Sequence, residues 1–387
     1  MKEPTNEFTD DELRRWRREF PALTQMVHLA NCSHGPQSLR VRRAIEGYLD
    51  SWRERGMDWG AWMSEVAAAR AAFARLIGAE PSDVAISTSA SAAVASVASA
   101  LDPSVPRGRV LTTEAEFPTV AHVWLAHRKY GLQVDFVPVR DGRIEIEDYD
   151  RRLDERTALV SATHVYYRNG FKQDLAAIAR MAHERGAWIL VDAYQSLGTC
   201  ELDVQKLDID ILVGGALKYL LGLPGIAFLY VRSELIERLE PALTGWFGRR
   251  DPFAFDAGTL DWASQARRLE TGTPPIFAAV AARAGIELIL EARPGRIARR
   301  IDGLSRHAIG SAAGHGLEYV GPADPAARGA TIALSVPDPH GLEADLRERD
   351  VITSARGDVI RLAPHFFNSL EDMDRALGSI DEIIKRR

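Results

Sequence analysis

The hydrophobic pattern divides the chain into three stretches. Thr9 followed three residues later by Glu12 has the spacing of a capping box and predicts a first helix that ends near Phe20-Pro21. Apolar positions at helical spacing predict further helices over Leu39–Trp52 and Glu65–Leu76, the latter closed by Gly78. From there the period changes. Short apolar runs at Val84–Ser87, Val110–Thr113, Val134–Val139, Ala158–Thr163, Trp188–Asp192, Ile211–Gly214 and Ala227–Val231 alternate with helical patterns at Ser91–Leu101, Thr119–Tyr130 and Asp174–Arg185. Runs of about five apolar residues without polar alternation are strands buried on both faces, and the helices between them supply the cover. This predicts an α/β fold around a mostly parallel sheet.

After a helix over Pro275–Glu291, shorter elements follow at Glu318–Val320, Thr331–Val336, Leu342–Arg349 and Val359–Leu362, with a closing helix from Ser369 to Lys385. The change of pattern puts a boundary at Ala292–Arg300. It divides a large domain over 25–291 from a smaller α+β domain built from 1–24 and 292–387.

Composition narrows the function classes. With 387 residues, 46% hydrophobic and 26% charged, the chain is an ordinary globular protein long enough for a full core. Its net charge of −6 gives no overall basic footprint, so no nucleic-acid partner is expected. The basic clusters Arg14–Arg18 and Arg296–Arg300 read as solvated helix faces. Cys32 and Cys200 are the only cysteines, which excludes a disulfide scaffold and a cysteine-built zinc site; no metal is expected. The N-terminus is polar and acidic, and no run approaches the roughly 18 apolar residues that span a bilayer. The expectation is a cytoplasmic protein with no membrane partner.

In an open parallel sheet, ligands sit outside the carboxyl ends of the strands. Four positions there carry chemistry. Lysine occurs only at 2, 129, 172, 206, 218 and 385, and Lys218 lies in DILVGGALKYLLGLPGIAFLYV, between buried-type strands. An ammonium there either snorkels to the surface or has a depressed pKa suited to Schiff-base chemistry with an aldehyde. Asp192 ends the apolar run of AWILVDAYQS and reads as a helix cap or as the partner of a cationic ring nitrogen; no His or Glu stands at metal-ligand spacing around it. Thr88, Ser89 and Ser91 open a helix, either as a plain N-cap or as an anion seat with the backbone N–H of Ala90. A Walker-type loop is excluded, because Tyr219 follows Lys218. Arg361 stands inside a strand pattern and suits either an inter-domain ion pair or bidentate capture of a carboxylate. Together, a phosphate seat, a strand-tip carboxylate, a desolvated lysine and a distal arginine describe a site for pyridoxal 5'-phosphate.

The order and spacing of these motifs, from NCSHGP at 31–36 to IRLAPHFFNS at 360–369, resemble the fold type I pyridoxal-phosphate enzymes of the aminotransferase class V family. Kynureninases and the desulfurase and isopenicillin-epimerase branch are the particular likeness. The resemblance implies Lys218 as the Schiff-base lysine, Asp192 paired with the pyridine nitrogen, Gln195 near the phenolic oxygen and Phe117 of EFPT stacked on the ring. It also implies Ser89, Ala90 and Ser91 at the phosphate, and Arg361 on the substrate α-carboxylate. Thr273 of ETGTPP would reach the phosphate of a neighbouring subunit, so a homodimer with shared sites is implied. Where kynureninases carry an aspartate, a histidine and a tyrosine, this chain has Val120, Gln195 and Leu217, which points away from the kynureninase reaction itself. TSARGDVIRLAP holds no cysteine, which points away from persulfide transfer.

These readings favour a pyridoxal-phosphate lyase or hydrolase that cleaves at the β-carbon of an amino acid, with Lys218 moving the α-proton. A class V aminotransferase using the same residues is the alternative, ahead of a racemase, a decarboxylase or a non-catalytic cofactor binder. Pocket shape is assigned to Asn31, Ser33, His34, Tyr166, Tyr167, Trp246 and Phe247. His34 and His164 read as structural histidines before acid/base groups.

Overall fold

The structure is a computed structural model that describes residues 7–102 and 108–387. Residues 1–6, the start of the polar N-terminus and of the expected small domain, lie outside the described residues. Helix α1 (Asp10–Arg17) opens on the expected capping box: the Glu12 N–H donates to Thr9 Oγ1 at 3.2 Å and the Thr9 N–H to Glu12 Oε2 at 2.9 Å. After strand β1 (Val27–His28) come α2 (Leu39–Arg55), capped by Ser38, and α3 (Trp59–Ile77). Helix α3 begins at Trp59 instead of Glu65 because Asp58 Oδ1 accepts from the Ala61 N–H at 3.2 Å. A cap of this kind starts a helix whose first turn, here Trp-Gly-Ala-Trp, carries no apolar period.

Seven strands form the central sheet: β2 (Val84–Ser87), β3 (Arg109–Thr113), β4 (Gln133–Val137), β5 (Thr157–Thr163), β6 (Trp188–Asp192), β7 (Ile211–Gly215) and β8 (Ala227–Val231). Their order is β2-β8-β7-β6-β5-β3-β4. Every neighbouring pair is parallel except those of β8, which runs against both β2 and β7. An all-apolar strand buried on both faces carries no directional signal, so this reversal is invisible in the periodicity.

Alternate residues of each strand feed two cores. Ile86, Leu111, Val160, Ile189, Leu212 and Phe228 pack with α3, α7 (Leu175–Glu184) and α9 (Ile276–Ala292) on one face. Ala85, Val110, Leu159, Leu190, Val213 and Leu229 pack with α4 (Ala90–Ala100), α5 (Pro118–Ala126) and α8 (Ser233–Ile236) on the other. Each fully buried Val, Leu or Ile contributes about 1.5–3 kcal/mol. The short α6 (Ile146–Asp150) lies before β5.

The chain reverses at Arg293, whose φ is +68°, and α10 (Pro294–Gly314) starts at once with Pro294 in its first turn. The expected boundary segment is thus mostly helix. Within it Arg296 and Arg300 differ from the expected solvated face. Arg296 donates to Glu12 at 2.7 Å, and Arg300 to the Asn368 carbonyl at 2.7 Å, so both are half-buried ties to other segments. Beyond lie β9 (Glu318–Tyr319), β10 (Ile332–Ser335), α11 (Pro339–Glu348), β11 (Val351–Ile352), β12 (Ser354–Arg356), β13 (Val359–Leu362) and α12 (Leu370–Arg386). An antiparallel sheet of order β12-β13-β10-β9 packs on α10, α11 and α12. The β1 strand pairs in parallel with β11, tying residues 27–28 to the C-terminal layer.

Candidate active site

A cavity of about 420 Å³ opens where β6, β7 and the start of α4 meet the β12–β13 hairpin. Asp192 closes β6 and is buried; its Oδ1 accepts from the Tyr194 N–H at 2.8 Å. Burial pushes its carboxyl up, and the Lys218 charge opposes that shift. Lys218 stands in the loop after β7, with some surface turned to the cavity and its ammonium enclosed between two rings. The Nζ lies 4.4 Å from the Tyr194 centroid and 5.3 Å from that of Phe117. Burial lowers its pKa to about 8 against the pull of Asp192, and the Arg361 and Arg356 charges add to the lowering. About a tenth of this amine is therefore unprotonated at pH 7, far more than for a lysine at 10.5. The lysine loop is held from behind by α9: a Cβ on Gly285 would lie 2.2 Å from the Leu220 carbonyl oxygen, so only glycine admits the approach.

Ser89 caps α4, its Oγ accepting from the Ala92 N–H at 3.1 Å, and Ala90 and Ser91 begin the helix at the cavity wall. The first-turn N–H groups of a helix have no intrahelical partner, and they favour an anion. Phe117 precedes α5 and meets Tyr167 edge-on at 5.3 Å. The Gln195 Nε2 donates to the Cys32 carbonyl at 3.0 Å, while Oε1 has no partner among the described residues.

Arg361, on β13, is one of the most buried side chains. Its Nε donates to the Ser354 carbonyl at 3.2 Å, Nη1 to the Tyr167 carbonyl at 2.8 Å, and Nη2 to Ser354 Oγ at 2.6 Å and Ser33 Oγ at 3.2 Å. Of its five N–H donors, these contacts use four, which locks the fork and leaves one N–H for a ligand; neither the expected ion pair nor a bidentate grip on a carboxylate is what the fork is arranged for.

Nine of the residues expected at the site thus converge on one cavity: Ser89, Ala90, Ser91, Phe117, Tyr167, Asp192, Gln195, Lys218 and Arg361. Three do not. Asn31 is fully buried and donates from Nδ2 to the Ala363 carbonyl at 2.7 Å, joining the chain near β1 to the end of β13. His34 is exposed, with Nδ1 2.7 Å from the Gly35 carbonyl. Thr273 is exposed outside the cavity of its own chain. Of the pocket-shape candidates, Ser33 lines the cavity, whereas Trp246 and Phe247 pack with Trp59 and Phe253 elsewhere. Buried His164 bonds Ser196 Oγ through Nδ1 at 2.8 Å, and burial lowers its pKa to about 3, so it is a neutral structural residue. Cys32, Tyr194 and Arg356 line the cavity without having been expected there. Tyr194 carried a signal, lying two residues past the strand-tip aspartate; Arg356 shares a hairpin face with Arg361, which only strand pairing reveals. Among the described residues, no cluster of three or more His, Cys, Asp or Glu could hold a metal ion, and no helix is long and apolar enough to cross a membrane.

These groups fit pyridoxal 5'-phosphate: an amine with a depressed pKa for the aldehyde, a buried carboxylate for the ring nitrogen, an aromatic face, an unpaired amide oxygen and a helix N-terminus for the phosphate. Fold and site together define a fold type I pyridoxal-phosphate enzyme. The family model "Aminotransferase class-V" matches residues 48–359, and the chain belongs to that family; pyridoxal 5'-phosphate is its cofactor. The chain is 39% identical over 370 residues to the "uncharacterized aminotransferase YcbU" of Bacillus subtilis (strain 168), covering 95% of this chain and 96% of that one. It is 29% identical over 409 residues to a kynureninase of Bacillus cereus (strain ATCC 14579), covering 99% and 95%. Among solved structures, the apo cysteine desulfurase of Thermococcus onnurineus NA1 superposes with a TM-score of 0.87 at 24% identity, covering 98% and 99% of the two chains. The cystine C–S lyase C-DES, in complex with cysteine persulfide, does so at 0.85 and 20%, covering 94% and 99%. At these identities the two structures share the fold.

Proposed function

We propose that this chain is a cytoplasmic pyridoxal-phosphate lyase or hydrolase that cleaves a bond at the β-carbon of an amino acid. The observation that carries the reading is that Lys218, the Asp192 carboxylate and the Arg361 fork line one cavity, both charges acting on the lysine. When bound, the cofactor supplies an electron sink. Arg361 holds the α-carboxylate through its remaining N–H and orients the α-carbon toward Lys218. The Lys218 amine takes and returns the α-proton, with a pKa of about 8 suited to both directions near neutral pH. Asp192 would keep the ring nitrogen protonated, Phe117 would cover the ring face, and Ser89, Ala90 and Ser91 would seat the phosphate. The full-length likeness to kynureninases supports β-carbon cleavage. Exposed Thr273 is assigned to the cavity of a second copy, which makes the working form a homodimer.

Aminotransfer is the second reading, favoured by the name of the Bacillus subtilis relative. Single amino acids offered without a keto acid separate the two. The lyase reading expects many turnovers of a released β-fragment, absent in Lys218→Ala. One equivalent per site followed by arrest until a keto acid is added would overturn it in favour of aminotransfer.

A further inference from the structure

The cavity is unbalanced in charge. Lys218, Arg356 and Arg361 line it against the single carboxylate of Asp192. Arg361 is committed to its serine and carbonyl contacts, and Lys218 lies between aromatic rings. Arg356 is exposed toward the cavity and has no ion-pair partner among the described residues; the nearby Asp358 is taken by Arg168.

Its position follows from strand register. Ser354 pairs with Arg361, and Arg356 with Val359, in the antiparallel β12–β13 hairpin. Alternate residues share a face, so Ser354 and Arg356 lie on the same side as Arg361, and the two arginines are diagonal neighbours. At such a site Cα atoms are roughly 7–8 Å apart, within reach of two anionic groups on one small molecule. The phosphate seat at Ser89–Ser91 is on a different wall, built by α4 and Thr119.

We propose that Arg356 binds a second anionic group on the substrate side chain, so that the substrate is an acidic amino acid whose carboxylate or sulfinate lies close to the β-carbon. The inference rests on the reading of the site as one that acts on amino acids, and it adds the class of side chain. An arginine at this distance from a fixed carboxylate site discriminates by charge, because an amide in the same place leaves the guanidinium without a counter-ion.

The test uses the cofactor-loaded protein and the shift of its absorbance band on titration with aspartate, glutamate and cysteine sulfinate, against asparagine, glutamine and alanine. The acids are expected to bind at least tenfold tighter than their amides. Arg356→Gln is expected to bring that ratio to about one, with an unchanged melting profile. Calorimetry with succinate and butyrate gives an independent readout: succinate is expected to bind tighter to the wild type and to lose that advantage in Arg356→Gln. Neutral amino acids that shift the band as well as the acids do, or a ratio that survives Arg356→Gln, overturn this inference and leave the amino-acid reading standing. A band that no amino acid shifts overturns both.

Discussion

The Lys218 ammonium rests 4.4 Å above the Tyr194 ring, and the backbone N–H of Tyr194 donates to Asp192. One loop therefore sets the positions of the amine and of the carboxylate that opposes its loss of charge. The ring stabilises a cation on its face while the surroundings strip it of water. Desolvation wins, and the lysine is poised near neutral pH.

Cofactor uptake by the apoprotein is expected to follow that poise. With a pKa of about 8 instead of 10.5, the neutral amine grows about tenfold between pH 7 and 9 and then saturates. Stopped-flow absorbance of pyridoxal phosphate binding should show a rate that rises about tenfold and then flattens above pH 9. A rate still climbing tenfold per unit above pH 10 would show an ordinary lysine.

Glu116 lies beside the stacking phenylalanine, buried to 4% exposure, with Oε1 accepting from the Phe117 N–H at 3.2 Å and Oε2 without a partner among the described residues. Burial first, and then the Asp192 charge, push its carboxyl well above the usual range. The folded chain thus holds a proton that the unfolded chain releases above about pH 4.5, and its stability falls as pH rises from there toward the folded pKa. The isosteric Glu116→Gln has no such loss. Urea denaturation at pH 5 and pH 9 should show the variant gaining on the wild type at the higher pH; a gap independent of pH would mean that Glu116 is charged in the fold.

The strands at 84–87, 188–192, 227–231 and 359–362 were legible to the residue, because each apolar run has a polar, glycine or proline residue within two positions of either end. Lys218 and Arg361 stood out because a cation flanked by two such runs, or inside one, has few explanations. Direction and lateral order were not: nothing in AFLYV says that β8 runs against its neighbours, and Arg356 becomes a neighbour of Arg361 only through a hairpin register. Asn31 was misplaced for a related reason. A polar residue in a turn reads as a ligand contact until the Ala363 carbonyl it satisfies is brought to it from the far end of the chain.

Gly215 ends β7 under the Tyr194 ring. A Cβ there would lie 2.1 Å from Tyr194 Oη and 2.2 Å from Cζ, so the ring must tilt off its place. Gly215→Ala is expected to cost about 1–3 kcal/mol in denaturant unfolding, the usual range for overpacking. Because the displaced ring is the one beneath Lys218, the pH at which cofactor uptake saturates should move as well. A destabilised variant with an unmoved uptake profile would show that Tyr194 supports the loop without influencing the amine.

Arg361→Lys tests whether the fork, and not its charge alone, fixes the substrate. The guanidinium reaches Ser354, Ser33 and Tyr167 through three different nitrogens, a set that a single ammonium with three donors on one atom cannot span. The positive charge survives in the variant, so the long-range attraction for a carboxylate is kept. The Ser354 and Tyr167 carbonyls lose donors at the same time, and each buried group left unpaired costs about 1–3 kcal/mol. The cofactor contacts are untouched, because Ser89, Asp192 and Lys218 lie on other elements. Spectral titration should therefore show an intact cofactor band, with amino-acid dissociation constants raised at least tenfold. Affinities within twofold of the wild type would show that charge suffices and that the α-carboxylate is not held by the Arg361 fork.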